Sequence, residues 1–207
     1  EMCIRDRWSI FYSILHETLS NLNMKYLISV VAFLSLTLNS FSSNHIKFMG
    51  IEVNKPIRAF KDSLYKRGFK SIKTDKNTYR LYGKFANEFV TIRIIAMPKT
   101  QNVCKVIVLF PKKSTWSQLK TDYFNKKKMY LSKYILDSDF EFFSAPYEEG
   151  DGYELRAVLN NKCKYVTFFK VEGGHIAVYI DKDAQIKVTY EDEENINLAQ
   201  KEFYLYG

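Results

Sequence analysis

What this chain has little of narrows it first. Three histidines and three cysteines in 207 residues form no His-x-x-x-His and no Cys-x-x-Cys spacing, which leaves a zinc site without its usual ligand pattern. Its 8 glycines build neither a Gly-x-Ser-x-Gly elbow nor a phosphate-cradling loop. Arginine is scarce beside lysine, and the planar arginine fork is what phosphate and base recognition favour. No apolar run after Ser43 approaches 18 residues, so nothing beyond that point is built to cross a bilayer as a helix. No catalytic residue, metal or cofactor is expected from this inventory.

What is present is an aromatic-rich globular composition: 46% hydrophobic residues, 15 Tyr and 16 Phe. Compartment is signalled by an internal start. Met24-Lys25-Tyr26 precedes the apolar run Leu27 to Leu38, and Asn39-Ser40-Phe41-Ser42-Ser43 follows. A short basic segment, an apolar stretch of about 12 residues and small residues at Ser40 and Ser42 have the order of a secretory signal peptide. The segment 24–42 is therefore expected to be removed, with cleavage before Ser43 and a periplasmic or extracellular destination. Residues Glu1 to Arg7 resemble a translated sequencing-adapter fragment, and 1–23 as a whole reads as a non-native leader. One exported domain, 43–207, remains, long enough to bury a core without staples.

The net charge of +8 falls entirely after residue 42. Its lysines are spread along the chain, clustering only at Lys112-Lys113 and Lys126-Lys127-Lys128. That pattern argues against nucleic acid and for a solvated surface with affinity for anionic glycans or lipid headgroups. The lysine triplet is expected on the solvated face of a helix. Cys104 and Cys163 are an even pair in an oxidising compartment, open to a disulfide or to life as two buried thiols.

Periodicity divides 46–190 into helices and strands. After a short strand-like lead-in over 46–53, Asn54 is the expected N-cap and Pro56 the first turn of a helix striped by Ile57, Phe60 and Leu64 and stopped at Gly68. Strands are expected over 78–85, 89–97 and 103–110. Thr115 and Gln118 suggest a capping box opening a second helix, whose stripe runs through Trp116, Leu119, Tyr123, Tyr130, Leu131 and Tyr134. Strands follow over 140–145, 153–160, 163–171, 175–180 and 185–190, and the acidic tail 191–207 frays or forms a short helix. Helices separated by hairpin runs mean α+β, with two helices packed on an antiparallel meander sheet. The units 46–111 and 112–190 suggest a tandem α-β-β-β pseudo-repeat like that of β-lactamase-inhibitor-like folds.

His45-Ile46-Lys47-Phe48-Met49-Gly50-Ile51, Trp116-x-x-Leu119 and Tyr147-Glu148-Glu149-Gly150-Asp151-Gly152-Tyr153-Glu154 carry a further likeness. Over 24–207 the chain resembles uncharacterised small secreted proteins of gut Bacteroidetes. The resemblance implies export and a shared α+β domain, and brings no activity or site residues with it.

The remaining chemistry-bearing patch is the Pro/Gly-punctuated stretch 146–154. There Tyr147, Glu148, Glu149, Asp151, Tyr153 and Glu154 could ligate calcium, act on a sugar, grip a partner, or simply form a solvated turn. A His175 and Cys163 nucleophile pair is conceivable but is far outweighed by two ordinary strand residues. The reading that follows is a noncatalytic exported binding module for a protein or glycan. It would work through an aromatic-rich sheet face or the 146–154 loop. The alternatives are a carboxylate-dependent glycan hydrolase and a structural or chaperone-like envelope protein.

Overall fold

The alternating runs of the sequence become the strands of one sheet in the computed structural model, which describes residues 44–75 and 77–204. The expected leader, signal peptide and cleavage point lie outside the described residues. In chain order the elements are β1 (Lys47–Phe48), β2 (Ile51–Glu52), α1 (Ile57–Tyr65), β3 (Lys70–Asp75), β4 (Thr78–Phe85), β5 (Glu88–Ala96) and β6 (Val103–Leu109). There follow α2 (Trp116–Leu131), β7 (Ile135–Phe143), α3 (Glu154–Leu159), β8 (Cys163–Val171), β9 (Gly174–Asp181), β10 (Gln185–Asp192) and α4 (Glu193–Tyr204). β1 and β2 form a hairpin of their own. The other eight strands make a single antiparallel sheet in the order β3-β4-β5-β6-β10-β9-β8-β7. The architecture is thus α+β, with the meander connections that short turns impose.

The core lies between this sheet and two helices. Ile57, Phe60 and Leu64 of α1 and Leu119, Tyr123 and Tyr130 of α2 are buried in one cluster with Val90, Ile92 and Ile94 of β5, Val106 and Val108 of β6, and Val188 of β10. These strand positions alternate, so every second residue of β4, β5, β9 and β10 points into the core and its neighbours point away. A smaller cluster of Met97, Cys104 and Ala199, with Ile95 and Ile196 against it, seats α4 beside β6. Gly83 serves the packing directly: the Phe69 ring lies where a Cβ would stand, 2.4 Å from its Cδ1.

Several local expectations need correction. α1 begins at Ile57 with Pro56, not Asn54, in the cap position and no side-chain cap, because the fixed φ of proline already suits a helix entry. The capping box is half formed. Thr115 Oγ1 accepts from the Gln118 N–H at 3.3 Å, while the Gln118 side chain meets Ser114 Oγ instead of reaching back. Lys70–Asp75 is a strand that the lysine-rich sequence did not announce, placed at the sheet edge where charge is tolerated. β7 starts at Ile135, earlier than expected.

The expected strand over 153–160 is helix α3. Glu-Leu-Arg-Ala-Val-Leu has strong helix formers and no period-two alternation, and it buries adjacent residues Ala157 and Val158. The lysine triplet also divides. Lys126 is buried at 7% exposure rather than solvated. Its ammonium pairs with Glu88 and with Asp122, the latter at 3.2 Å, and lies 4.5 Å from the Phe110 ring centroid.

Candidate functional site

Because α1 and α2 cover one face of the sheet, the alternate residues of every strand line the other. Strand register arranges them in rows. One row runs Lys70, Tyr82, Thr91, Leu109, Lys187, Tyr179, Val166, Phe140 across all eight strands. The next runs from Arg80 and Arg93 through Ile107, Thr189 and Ala177 to Phe168. An outward row of an antiparallel sheet ordinarily carries small polar residues. Here Phe89 is 60% exposed, Tyr82 45% and Phe142 46%, with Phe140 and Phe168 also exposed.

The aromatics fall into two groups. Tyr82 and Phe89 stack on adjacent strands with ring centroids 5.6 Å apart and planes only 11° off parallel. They border a hollow of about 550 Å³ with Arg80, Leu109 and Lys112. At the other side of the face, a groove of about 370 Å³ follows β8 and β9 between Phe168, Val166 and Tyr179. The buried Thr189 lines this groove, and its hydroxyl has no hydrogen-bond partner.

Charge on the face is unevenly compensated. Lys105 pairs with Glu191, and Lys187 with Asp181 at 2.6 Å. Lys187 outweighs the burial of Asp181 and holds that carboxyl below the usual range. Arg80 and Arg93, by contrast, stand directly opposite each other in the register, and the Nε of each is buried without a hydrogen-bond partner.

The 146–154 loop is built differently from a binding claw. Glu149 accepts from Lys120 and, at 3.0 Å, from the Tyr165 hydroxyl, and these donors hold its carboxyl below the usual range. Asp151 accepts from the Glu148 and Tyr153 N–H groups at 2.9 and 2.7 Å, and Glu154 accepts from the Gly150 N–H at 2.8 Å. The Tyr147 hydroxyl accepts from Asn160 at 2.8 Å. Four of the six loop residues singled out in the sequence therefore have their polar groups occupied, Asp151 and Glu154 within the loop, Tyr147 with the end of α3, and Glu149 with α2 and β8. The Tyr153 ring and the Glu148 residue face solvent. Among the described residues no cluster of three His, Cys, Asp or Glu side chains could hold a metal ion.

Cys104 and Cys163 are free thiols, on strands separated in the sheet by β10 and β9. Burial pushes the Cys104 thiol up to about 11 and the Cys163 thiol up to about 12, so both are neutral and unreactive at ordinary pH. His175 stands opposite Lys170, seven residues along β8 from Cys163, and the two do not form a nucleophile and base pair.

The face residues Arg80, Tyr82, Phe89, Arg93, Phe140, Phe142 and Phe168 were not singled out in the sequence. Their signal was available: aromatic side chains at the solvent-facing positions of strands whose other positions already supply a core. No protein-family description, curated protein or solved structure matches the chain, so the chemistry of this face rests on its own residues.

Proposed function

We infer that this protein is a noncatalytic exported binding module, with the open sheet face as its binding surface and a protein or glycan as its ligand. The single observation that carries the reading is the set of exposed aromatic rings on one sheet face, Tyr82 and Phe89 on β4 and β5 at one side and Phe140, Phe142 and Phe168 on β7 and β8 at the other, interleaved with cations. Exposed aromatics fixed on strands lose little freedom on binding, which is what a rigid recognition platform requires. The Met24 to Ser43 pattern supports export, and the likeness to secreted Bacteroidetes proteins agrees with it.

The strand order supports a finer reading as well. Each of α1 and α2 is followed by four strands rather than the three expected, β3 to β6 and β7 to β10, with α3 inserted between β7 and β8, and the last strands of the two halves, β6 and β10, meet at the centre. A tandem pseudo-repeat of the β-lactamase-inhibitor-like kind would present both halves on one continuous face. The hydrolase alternative draws less support, because Asp151 and Glu154 are tied into their own loop and Glu149 is held by Lys120 and Tyr165.

The experiment is binding of the full chain to a glycan array and to an envelope extract, repeated with Tyr82→Ala, Phe168→Ala and, on the helical side, Lys61→Ala. Loss of ligand with the first two and not with the third is the expected result. Ligand retained by both face variants would reject this surface.

A further inference from the structure

The β4–β5 end of the open face has a feature that fold stability does not explain. Arg80 and Arg93 are two of the five arginines after residue 42, and they occupy directly opposed positions on neighbouring strands. Side chains so placed have Cβ atoms about 5 Å apart, and like charges there destabilise the pair. Neither arginine has an acidic partner among the described residues, and both Nε groups are buried without an acceptor. Elsewhere on the same face the sheet does supply acids, Glu191 for Lys105 and Asp181 for Lys187. The buried Nε atoms are closed to any ligand, so an external anion would meet the Nη groups of these half-exposed side chains, where the fold supplies no carboxylate of its own among the described residues.

What surrounds the pair specifies more than charge. Tyr82 lies two residues along β4 from Arg80, on the same face and about 7 Å away. Its ring stacks with Phe89, so the next level of the sheet is an aromatic ledge rather than another polar row. Lys70 flanks Tyr82 and Lys84 stands opposite Phe89, so cations lie beside the ledge as well as at its end.

A ligand matching this patch has a flat apolar face to lie on aromatic rings and a carboxylate within one ring's reach for a bidentate arginine fork. It also repeats, since cations border the ledge on more than one side. An inorganic anion would leave the ledge unused, and a neutral sugar would leave the guanidinium groups unpaired. On the face itself main-chain recognition of a peptide is closed, because the backbone donors of β4 and β5 are taken by the ladder on both sides.

We propose that the Arg80, Tyr82, Phe89, Arg93 patch binds an acidic saccharide, a chain of uronate rings whose faces rest on the Tyr82/Phe89 ledge and whose carboxylates pair with Arg80 and Arg93. This rests on the open face being the binding surface and names the ligand class for one half of it. Nucleic acid is the competing polyanion with flat rings, and the export pattern in the sequence disfavours it.

The test measures binding of the purified full chain, by calorimetry at low and moderate salt, to three probes. These are an oligogalacturonate, a neutral cello-oligosaccharide of the same length, and single-stranded poly(U). The oligogalacturonate should bind at least tenfold more tightly than the neutral chain, with affinity falling as salt rises. The double variant Arg80→Met/Arg93→Met should lose about tenfold or more of that affinity, the magnitude of one or two charge-assisted hydrogen bonds. Its melting temperature should be equal to or above the parent's, because a like-charge contact has been removed, so lost binding is not lost fold. Arg93→Lys keeps the charge and should still weaken binding several-fold by losing the fork geometry.

Equal affinity for the uronate and neutral chains, undiminished uronate binding by the double variant, or tighter binding of poly(U) would each overturn the assignment. A neutral glycan or a protein bound through Tyr82 or Phe168, without uronate preference, would overturn it too, while leaving the open face as the binding surface. Failure of every ligand to respond to either face variant would instead remove the underlying reading.

Discussion

Three adjacent lysines on α2 should have three different energetic weights, and the series Lys126→Met, Lys127→Met, Lys128→Met tests the packing of that helix. Lys126 is the buried member, with Glu88 and Asp122 as partners and the Phe110 ring beneath its ammonium. Methionine retains most of the stem's packing, so the loss isolates the charge. Breaking a buried pair by removing one partner ordinarily costs about 3–5 kcal/mol. Two features reduce the figure here: the Glu88 side chain is one-third exposed, and Asp122 keeps Lys113 at 3.5 Å. About 2–4 kcal/mol is expected, which for a domain of this size lowers the melting temperature by roughly 5–15 °C.

Lys127 pairs with Asp139 and Glu141 near the surface. Asp139 also accepts from the Thr167 hydroxyl, at 2.8 Å, beneath the buried Tyr123. Screening reduces such pairs, and about 1 kcal/mol is expected. Lys128 is exposed, and its replacement should stay within about 0.5 kcal/mol. Thermal and urea unfolding of the three variants measure the order, with unchanged urea slopes confirming that the same unfolding is observed. Equal losses at Lys126 and Lys128 would refute the burial and the ion-pair argument together.

Acid should loosen the 146–154 loop through Glu149. Its carboxyl is held below the ordinary range near 4.3, so the unfolded chain binds more protons and the contribution, fully present above that range, is lost as pH falls through the folded value. Trp116 packs edge-on against Tyr165 at 5.2 Å, so its fluorescence in a Trp8→Phe background should change below about pH 5 in the parent and be flat in Glu149→Gln. Gly83→Ala should destabilise by about 1–3 kcal/mol, because its Cβ would stand inside the Phe69 ring's contact distance. Phe69→Leu should recover part of that loss in a double-mutant cycle, and additive losses would place the ring elsewhere. Thr189→Val should raise the melting temperature by a few degrees, since a buried hydroxyl without a partner is replaced by a methyl group. A lower melting temperature would mean that the hydroxyl is satisfied in the folded protein.

The fold class was legible because its signals are local. Ile57, Phe60 and Leu64 at helical spacing, Val90, Ile92 and Ile94 at strand spacing, and Thr115 before Trp116 each carry their own geometry. The misreadings share one cause: a local pattern was overridden by where tertiary structure placed it. Lys126 looks like its neighbours in sequence, yet it alone is turned toward β5, where Glu88 offsets its burial. Glu154 to Leu159 passes for a strand if only its apolar content is counted. Its helix becomes evident once Asp151 and Glu154 are seen satisfying backbone donors at its start. The acidic loop drew notice as a cluster of carboxylates, and in the fold those carboxylates mostly stabilise the turn they sit on.

The open face was harder to foresee because it is a property of register and not of sequence spacing. Arg80 and Arg93 are thirteen positions apart, with nothing local to associate them. They meet because the tight turn after Phe85, with Ala86 and Asn87 both at positive φ, pairs β4 with β5 without a bulge. A one-residue slip of β4 would send Arg80 and Tyr82 into the core and bring Leu81 to the surface, and one of β5 would do the same with Arg93 and Phe89 against Val90 and Ile92. Burial of the aliphatic residues therefore fixes the register, and the register in turn sets the two guanidinium groups beside the aromatic ledge. Selection for a core thus places the proposed binding patch, and substitutions that loosen the β4–β5 turn should disperse the patch before they unfold the domain.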